Sequence, residues 1–292
     1  MTELTFKPVL RRVFHPSDFS AASDAAFAHA LCLALAQHGE LTILHTDPDP
    51  ADQHWQEFPQ VRATLERWGL LPPHSLPSAV SALGLKASKV AALHSNPVEA
   101  ILHYLREHRH DIIVLATHQY EGLARLSHKP VATPVALGSG ALTLFLPPAG
   151  KGFVSPADGT VSLRRVLIPV DTSPLPQLAV AAAAALAEAL NCPEVTFTLW
   201  HVGPPDSFPA IPEIPERAGW NWQRETAQGR VEQSIIDAAQ TNDSDLIVMA
   251  TAGHQGFMDA LRGSTTDRIV RAAPCPVLAV PAGAFAPEPS FA

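Results

Sequence analysis

Short apolar runs alternate along the first half of the chain with segments that have the periodicity of amphipathic helices. Apolar runs of this length, bounded by turn-forming residues, are typical of buried strands. They predict five strands, at Val9–His15, Leu41–His45, Lys89–Leu93, Asp111–Ala116 and Ala141–Leu146. Helices are predicted from Ser20 or Ser23 to about Gln37, over Gln53–Trp68, and onward from the capping residue Asn96. This alternation indicates a doubly wound α/β domain with a parallel sheet.

The second half of the chain repeats the pattern of the first. Arg12–Asp18 matches Arg165–Asp171, Leu41–His45 matches Phe197–His201, and Asp111–Thr117 matches Asp245–Thr251. The matched segments are 153, 156 and 134 residues apart, so the second copy is 22 residues shorter between its second and fourth strands. The repeat predicts two tandem domains with the same fold.

The shortened part of the second copy is rich in proline. Prolines at 204, 205, 209, 212 and 215 forbid a regular helix, because each lacks an N–H group and clashes with the preceding turn. The sequence therefore predicts an extended strap in place of a helix, followed by a short third strand at Trp220–Thr226.

The repeat also predicts the domain limits. Domain one is placed at residues 1–148 and domain two at residues 164–283. Between them, the turn-type sequence Pro156-Ala-Asp-Gly159 predicts a hairpin linker over residues 149–163. Residues 284–292 contain two prolines and are predicted to be a flexible tail.

Composition narrows the classes of function. A net charge of −8 argues against a general nucleic-acid-binding protein, which must neutralise phosphates. Three cysteines without metal-type spacing fit a reducing compartment. The N-terminus does not resemble a secretory signal, and the longest apolar run, Leu178–Ala187, is too short and alanine-rich to span a membrane. We expect a soluble cytoplasmic protein with neither nucleic-acid nor membrane partners.

A glycine-containing loop follows the fourth strand of the second copy. Gly253 is separated by nine residues from Gly263-Ser264-Thr265, where a helix is predicted to begin. Glycine allows the backbone to approach a ligand closely, and a helix N-terminus offers free N–H groups to a phosphate. The alternative interpretation is a turn that merely starts a helix.

Several ordered motifs in both copies resemble the universal stress protein family, and the resemblance covers most of the chain. They are the proline and aspartate after strand one, the strand that ends in histidine, the aspartate-led apolar strand, Gly263-Ser264, and the final strand Ala273–Val280. The resemblance implies two five-stranded, Rossmann-like parallel sheets. It also implies that the domains pair as a pseudo-dimer through Ala141–Leu146 and Pro276–Val280, with a homodimer as a further possibility.

The family resemblance further implies an adenine-nucleotide site in the second domain. Nucleotide-binding members carry a glycine, two residues, a second glycine, nine residues, and then glycine with serine or threonine. This sequence has Ala250, Gly253, Gly263 and Ser264 at those positions, so the spacing is intact and one glycine is replaced. The ligand would be ATP, with Mg²⁺, held by Pro169, Val170, Asp171, Phe197, Met249, Ala250, Gly253, Gly263, Ser264 and Thr265. Phe197 is larger than the residue usual there.

The first domain has lost this pattern. Its corresponding residues are Ala116, Gln119, Lys129 and Pro130, and proline removes an N–H donor. We therefore predict a domain that does not bind nucleotide and acts as a structural partner. Asp18 is retained, either as a helix cap or as a contact to adenine.

Other classes of function remain as alternatives. The protein would be a scaffold if both clefts are degenerate, or a metal-binding protein through His103, His108 and His110 in domain one. The sequence shows no serine or cysteine with an obvious base partner, so an enzymatic role beyond weak ATP hydrolysis is not predicted.

Overall fold

The computed structural model describes residues 8–47, 55–117, 131–148, 151–251 and 265–282. The strands of the first half are β1 (Arg12–Pro16), β2 (Glu40–Asp47), β3 (Lys86–Leu93), β4 (Ile112–Ala116) and β5 (Leu142–Leu146). The helices of this half are α1 (Ala21–Ala36), α2 (Val61–Arg67), α3 (Ser78–Ala82), α4 (Pro97–Glu107) and α5 (Ala132–Ser139).

The described part of the second half has five strands and three α-helices. The strands are β6 (Arg165–Pro169), β7 (Val195–Val202), β8 (Trp220–Ala227), β9 (Leu246–Thr251) and β10 (Val277–Pro281). The helices are α6 (Pro176–Ala189), α7 (Val231–Thr241) and α8 (Thr265–Ala272). None of the described helices is both long and apolar enough to cross a bilayer.

The two halves form one continuous ten-stranded sheet. The strand order is β3-β2-β1-β4-β5-β10-β9-β6-β7-β8. Neighbouring strands within each half are parallel, whereas β5 and β10 are antiparallel, with Leu144 opposite Leu278. This confirms the predicted tandem α/β fold. It also agrees with the expected pairing of the domains through their last strands.

Helices cover both faces of this sheet, and the strand residues alternate between two cores. On one face α1 and α6 pack over the centre of the sheet, with α2 over its first half, and Val166 and Ile168 of β6 point towards them. On the other face lie α4, α5, α7 and α8, and Leu167 points towards them. Alternation of this kind follows from the two-residue period of a strand.

The repeated aspartates Asp111 and Asp245 perform the same structural task. One carboxylate oxygen of Asp111 accepts the backbone N–H groups of Arg11 and Arg12 at 3.0 and 2.8 Å. Asp245 accepts those of Arg164 and Arg165, both at 2.9 Å. Each aspartate therefore ties the start of its own strand to the start of the neighbouring central strand.

The linker between the halves packs on the first half. Val154 and Val161 form an antiparallel bridge, and the N–H of Ser162 donates to the carbonyl of Phe153 at 2.8 Å. Nε2 of His29 on α1 accepts the N–H groups of Phe153 and Val154 at 3.0 and 3.1 Å. This buried imidazole holds the linker against α1.

The predicted helix over Gln53–Trp68 is largely wrong, because within the described residues 55–68 the structure is helical only from Val61 to Arg67. Pro59 explains the late start, since the residue before a proline is pushed out of the helical region. The third strand is longer than predicted and begins at Lys86. The proline-rich strap has a single 3₁₀ turn at Pro205–Ser207 and otherwise no helix before β8, as the sequence predicts.

Candidate functional site

The strand order creates a crevice between β6 and β9 in the second half. From β6 the chain continues through α6 to β7 on one side, whereas from β9 it continues to β10 on the other side. Ligands of doubly wound sheets bind outside the carboxyl ends of the strands at such a point of reversal. Here that crevice is bordered by Pro169 at the end of β6, by Val170 and Asp171 after it, and by Ala250 and Thr251 at the end of β9.

The end of β6 offers an exposed carboxylate beside a fixed backbone. Val170 is buried, its N–H donates to the carbonyl of Trp200 at 2.9 Å, and its own carbonyl accepts Nδ1 of His201 at 3.1 Å. Asp171 is exposed, and its carboxylate accepts the N–H of Thr172 at 2.7 Å. The remaining lone pairs of this exposed carboxylate can accept hydrogen bonds from a ligand.

The two candidate residues on β9 point to opposite faces. Ala250 is partly buried and packs against the same core as Val170. The side chain of Met249 is 6% exposed and belongs to the core on the other face. Ala250 can therefore contact a ligand with its methyl group, whereas Met249 can offer only its backbone.

Phe197 lies apart from the other candidate residues. It pairs with Val166, three positions before the Pro169–Trp200 pair at the carboxyl end, a separation of about 10 Å along the strand. Its ring is fully buried and stacks on Trp222 with centroids 4.1 Å apart. In this structure Phe197 is a core residue beneath the strap.

The phosphate-binding candidates are only partly covered by the structure. Gly253, Gly263 and Ser264 lie outside the described residues, whereas Thr265 is the first residue of α8. In the same turn, the buried Asp267 accepts the hydroxyl of Thr133 at 3.2 Å and Nε of Arg271 at 3.0 Å. Because Thr133 belongs to α5, this network connects the start of α8 to the first half.

The equivalent position in the first half is filled by aromatic side chains. Phe19 follows Asp18, has a φ of +61°, and stacks on His45 with centroids 3.9 Å apart. Phe58 packs edge-on against Phe19, with ring centroids 5.3 Å apart. Asp18 accepts the N–H and the hydroxyl of Ser20 at 3.1 and 2.7 Å, so it supports the start of α1.

The histidines considered as metal ligands make other contacts. His103 lies 3.7 Å from Glu107, the ring of His108 stacks on Tyr104, and Nε2 of His110 lies 3.3 Å from the hydroxyl of Thr42. Within the described ranges, no group of three or more His, Cys, Asp or Glu residues is placed to hold a metal ion.

The three cysteines are buried and free of disulfides. Burial raises the pKa of Cys275 to about 12 and the pKa of Cys32 and of Cys192 to about 11. Because the thiolate is the reactive form, these cysteines are poor nucleophiles.

One pair of side chains that the sequence did not point to lies beside the crevice. Nε2 of His201, at the end of β7, is 2.8 Å from the hydroxyl oxygen of Ser207 in the strap. By sequence no serine has an obvious base partner, whereas the fold brings Ser207 within hydrogen-bond distance of His201. The sequence feature that could have indicated this contact is Gly203, which lies between His201 and Ser207 and separates the end of a strand from a turn.

These features define a doubly wound α/β protein with its candidate site at a reversal of strand order. The family model described as the universal stress protein family matches residues 10–139 and 215–281, which is more than half of the chain. The chain therefore belongs to the universal stress protein family.

A relative and two solved structures agree with this assignment. A universal stress protein of Methanocaldococcus jannaschii is 32% identical over 75 residues, which cover 26% of this chain and 44% of that protein. The chain thus spans less than half the length of this curated relative.

The solved structures match over most of the chain. A universal stress protein from Archaeoglobus fulgidus has a TM-score of 0.58 and 17% identity over 94% of this chain and 99% of its own. A putative universal stress protein from Pseudomonas aeruginosa has a TM-score of 0.60 and 13% identity over 94% of both chains. At these identities the likeness concerns the fold.

Proposed function

We propose that this universal stress protein binds ATP or a related adenine nucleotide in its second half, as a regulatory ligand in a stress response. The observation that carries this proposal is the difference between the two crevices. In the first half the ring of Phe19 stacks on His45 at the strand ends, whereas the small side chain of Thr172 occupies the matching position in the second half.

The described residues suit the parts of a nucleotide. The carboxylate of Asp171 would accept the amino group of adenine or a ribose hydroxyl, while Val170 and Ala250 supply apolar contact to the base and sugar. Thr265 and the first turn of α8 would face the phosphates with a hydroxyl and with backbone N–H groups. By sequence, Gly253, Gly263 and Ser264 would complete this cradle. Mg²⁺ would be held mainly by the phosphates themselves.

The proposal differs from the sequence interpretation at two residues. Phe197 is assigned to the core stack with Trp222, and Met249 contributes only backbone atoms. Turnover of the nucleotide is not part of the proposal. We place the protein in the cytoplasm, since its three free, buried cysteines require no oxidising compartment.

Isothermal titration of the full chain with Mg-ATP tests the proposal. The wild type should release binding heat, and Gly263→Asp should abolish it, because a carboxylate would repel the phosphates. Lys129→Ala, the matched control in the first half, should bind as the wild type does. Retained affinity in the Gly263→Asp variant would place the site elsewhere.

A scaffold with two closed clefts is the second candidate. It is favoured by the methyl group of Ala250, which packs where nucleotide-binding members carry glycine. No heat and no thermal shift at millimolar Mg-ATP would select this scaffold role over nucleotide binding.

A further inference from the structure

We propose that Ser207 and His201 form a nucleophile–base pair that accepts an acyl group from activated carboxylic esters. The hydroxyl oxygen of Ser207 lies 2.8 Å from Nε2 of His201, within the distance over which an imidazole can remove a hydroxyl proton. The pair borders the nucleotide crevice but uses none of its side chains, so this inference does not rest on nucleotide binding.

The contacts of His201 fix its tautomer. Nδ1 lies 3.1 Å from the carbonyl oxygen of Val170, and a carbonyl can only accept a hydrogen bond. Nδ1 of the neutral ring therefore carries the proton, and the lone pair on Nε2 faces Ser207. The carbonyl of Val170 thus orients the base, as a third group does in other serine nucleophiles.

The serine hydroxyl has a second acceptor, the carbonyl of Pro204 at 2.7 Å. That carbonyl already accepts the backbone N–H of Ser207 at 2.9 Å. The hydroxyl hydrogen can turn from this carbonyl to Nε2 without moving any heavy atom. The 3₁₀ turn therefore holds the hydroxyl oxygen next to the base. The hydrogen bond to the carbonyl of Pro204 does not keep the hydroxyl group away from Nε2.

The surroundings separate an accessible nucleophile from a shielded base. Ser207 is exposed, whereas only 4% of His201 is exposed. The ring of Phe208 covers the imidazole edge-on, with centroids 5.7 Å apart. An ester can reach the oxygen from solvent, while the imidazole is kept in one orientation.

Gly203 provides the space that the pair requires. A β-carbon at this position would lie 2.6 Å from Nε2 of His201 and 2.9 Å from the oxygen of Ser207. The φ of Gly203 is not in the left-handed region, so backbone conformation does not demand glycine. Any larger residue would push the serine and the histidine apart.

The acyl transfer balances without a further reactant. As the oxygen of Ser207 forms a bond to the ester carbonyl carbon, its proton passes to Nε2. The bond from that carbon to the leaving oxygen then breaks, and Nε2 returns the proton to this oxygen. The products are acylated Ser207 and the free alcohol, and the imidazole is neutral again.

Incubation of the full chain with p-nitrophenyl acetate tests the proposal. We expect a burst of nitrophenol and an acetyl group located on Ser207 by peptide mass spectrometry. Ser207→Ala should lose the burst, and its fold should persist because the side chain is exposed. His201→Gln should slow acetylation by about 100-fold or more, the range of general-base catalysis. Ser81→Ala, which removes an exposed serine of α3, should behave as the wild type.

A second variant separates the pair from a general effect on folding. Gly203→Ala should slow acetylation while circular dichroism stays unchanged, because the methyl group displaces only the side chains of the pair. Acetylation confined to lysines or to the N-terminus would overturn the proposal. An equal rate of Ser207 acetylation in the wild type and in His201→Gln would also overturn it.

Discussion

The carboxyl ends of β2 and β7 show the same histidine in two settings. Nδ1 of His45 donates to the carbonyl of Ser17 at 2.7 Å, and Nδ1 of His201 donates to the equivalent carbonyl, that of Val170, at 3.1 Å. The other side of each ring differs, since Phe19 stacks on His45 while Ser207 contacts His201. The duplicated unit thus keeps its backbone anchoring and diverges where a ligand would enter.

The interiors of the halves differ in a second way. His15 on β1 and His29 on α1 are buried, whereas the matching positions of the second half are Ile168 and Ala182. Burial lowers the pKa of His15 and of His29 to about 4. Their hydrogen bonds to backbone carbonyls raise the pKa, but by less than burial lowers it. The first half therefore contains two acid-sensitive positions that the second half replaces with apolar residues.

The largest expected effect is acid destabilisation through these two histidines. Folding favours the neutral rings, so their contribution to the free energy of unfolding is complete above pH 6.5, the pKa of histidine in the unfolded chain. It is lost as the pH falls towards 4, the pKa in the folded protein. Between pH 6.5 and pH 4, each of the two pKa shifts lowers the free energy of unfolding by about 3 kcal/mol. Urea unfolding between pH 7 and pH 5 should reveal a steep loss of stability.

The variant His15→Ile, which copies Ile168, sharpens this comparison. Its loss of stability between pH 7 and pH 5 should be about 2 kcal/mol smaller than that of the wild type. The control is His103→Gln, because the side chain of His103 is 70% exposed. A pH dependence that is the same in His15→Ile and in the wild type would contradict the assignment.

A somewhat smaller effect is expected from Phe197→Ala in the core of the second half. Removal of this buried ring, stacked on Trp222, should lower the free energy of unfolding by about 4 kcal/mol. The dissociation constant for Mg-ATP should not change, since Phe197 lies away from the strand ends. Denaturant unfolding and calorimetry measure the two quantities separately. A weakened nucleotide affinity without a loss of stability would return Phe197 to the binding site.

Phe197 also illustrates what the sequence could and could not predict. Apolar runs and the internal repeat suffice to predict the strands, because the apolar pattern of a strand is visible within a few residues. Sheet topology then places Asp171 and Ala250 at the carboxyl ends of the neighbouring strands β6 and β9. The partner of Phe197, Trp222, is distant in sequence, and the repeat suggested only that Phe197 matches Leu41.

The contact between His201 and Ser207 was out of reach for a related reason. It depends on the path of the strap, and that path is set by side chains elsewhere. Gln177 of α6 exchanges hydrogen bonds with the backbone of Glu213 at 2.9 and 3.2 Å. Trp222 donates to the carbonyl of Pro215 at 3.0 Å. Proline content predicts an extended segment but not where that segment lies.

The smallest expected effect comes from emptying the first crevice with Phe19→Asn. Asparagine tolerates the positive φ of this position, so the change removes the stack on His45 without adding backbone strain. Loss of the aromatic contact should cost about 1 kcal/mol in unfolding free energy. Thr172→Asn, the matching exposed position, should stay within about 0.5 kcal/mol of the wild type.

The same variant tests which feature makes the two halves differ as ligand sites. Phe19→Asn should not create a second nucleotide site, because Lys129 and Pro130 still replace the glycine and the N–H donor of the phosphate loop. Calorimetry with Mg-ATP should therefore give the wild-type stoichiometry. A stoichiometry raised by one site per chain would mean that the aromatic side chains close the first crevice and that its loop sequence does not prevent binding.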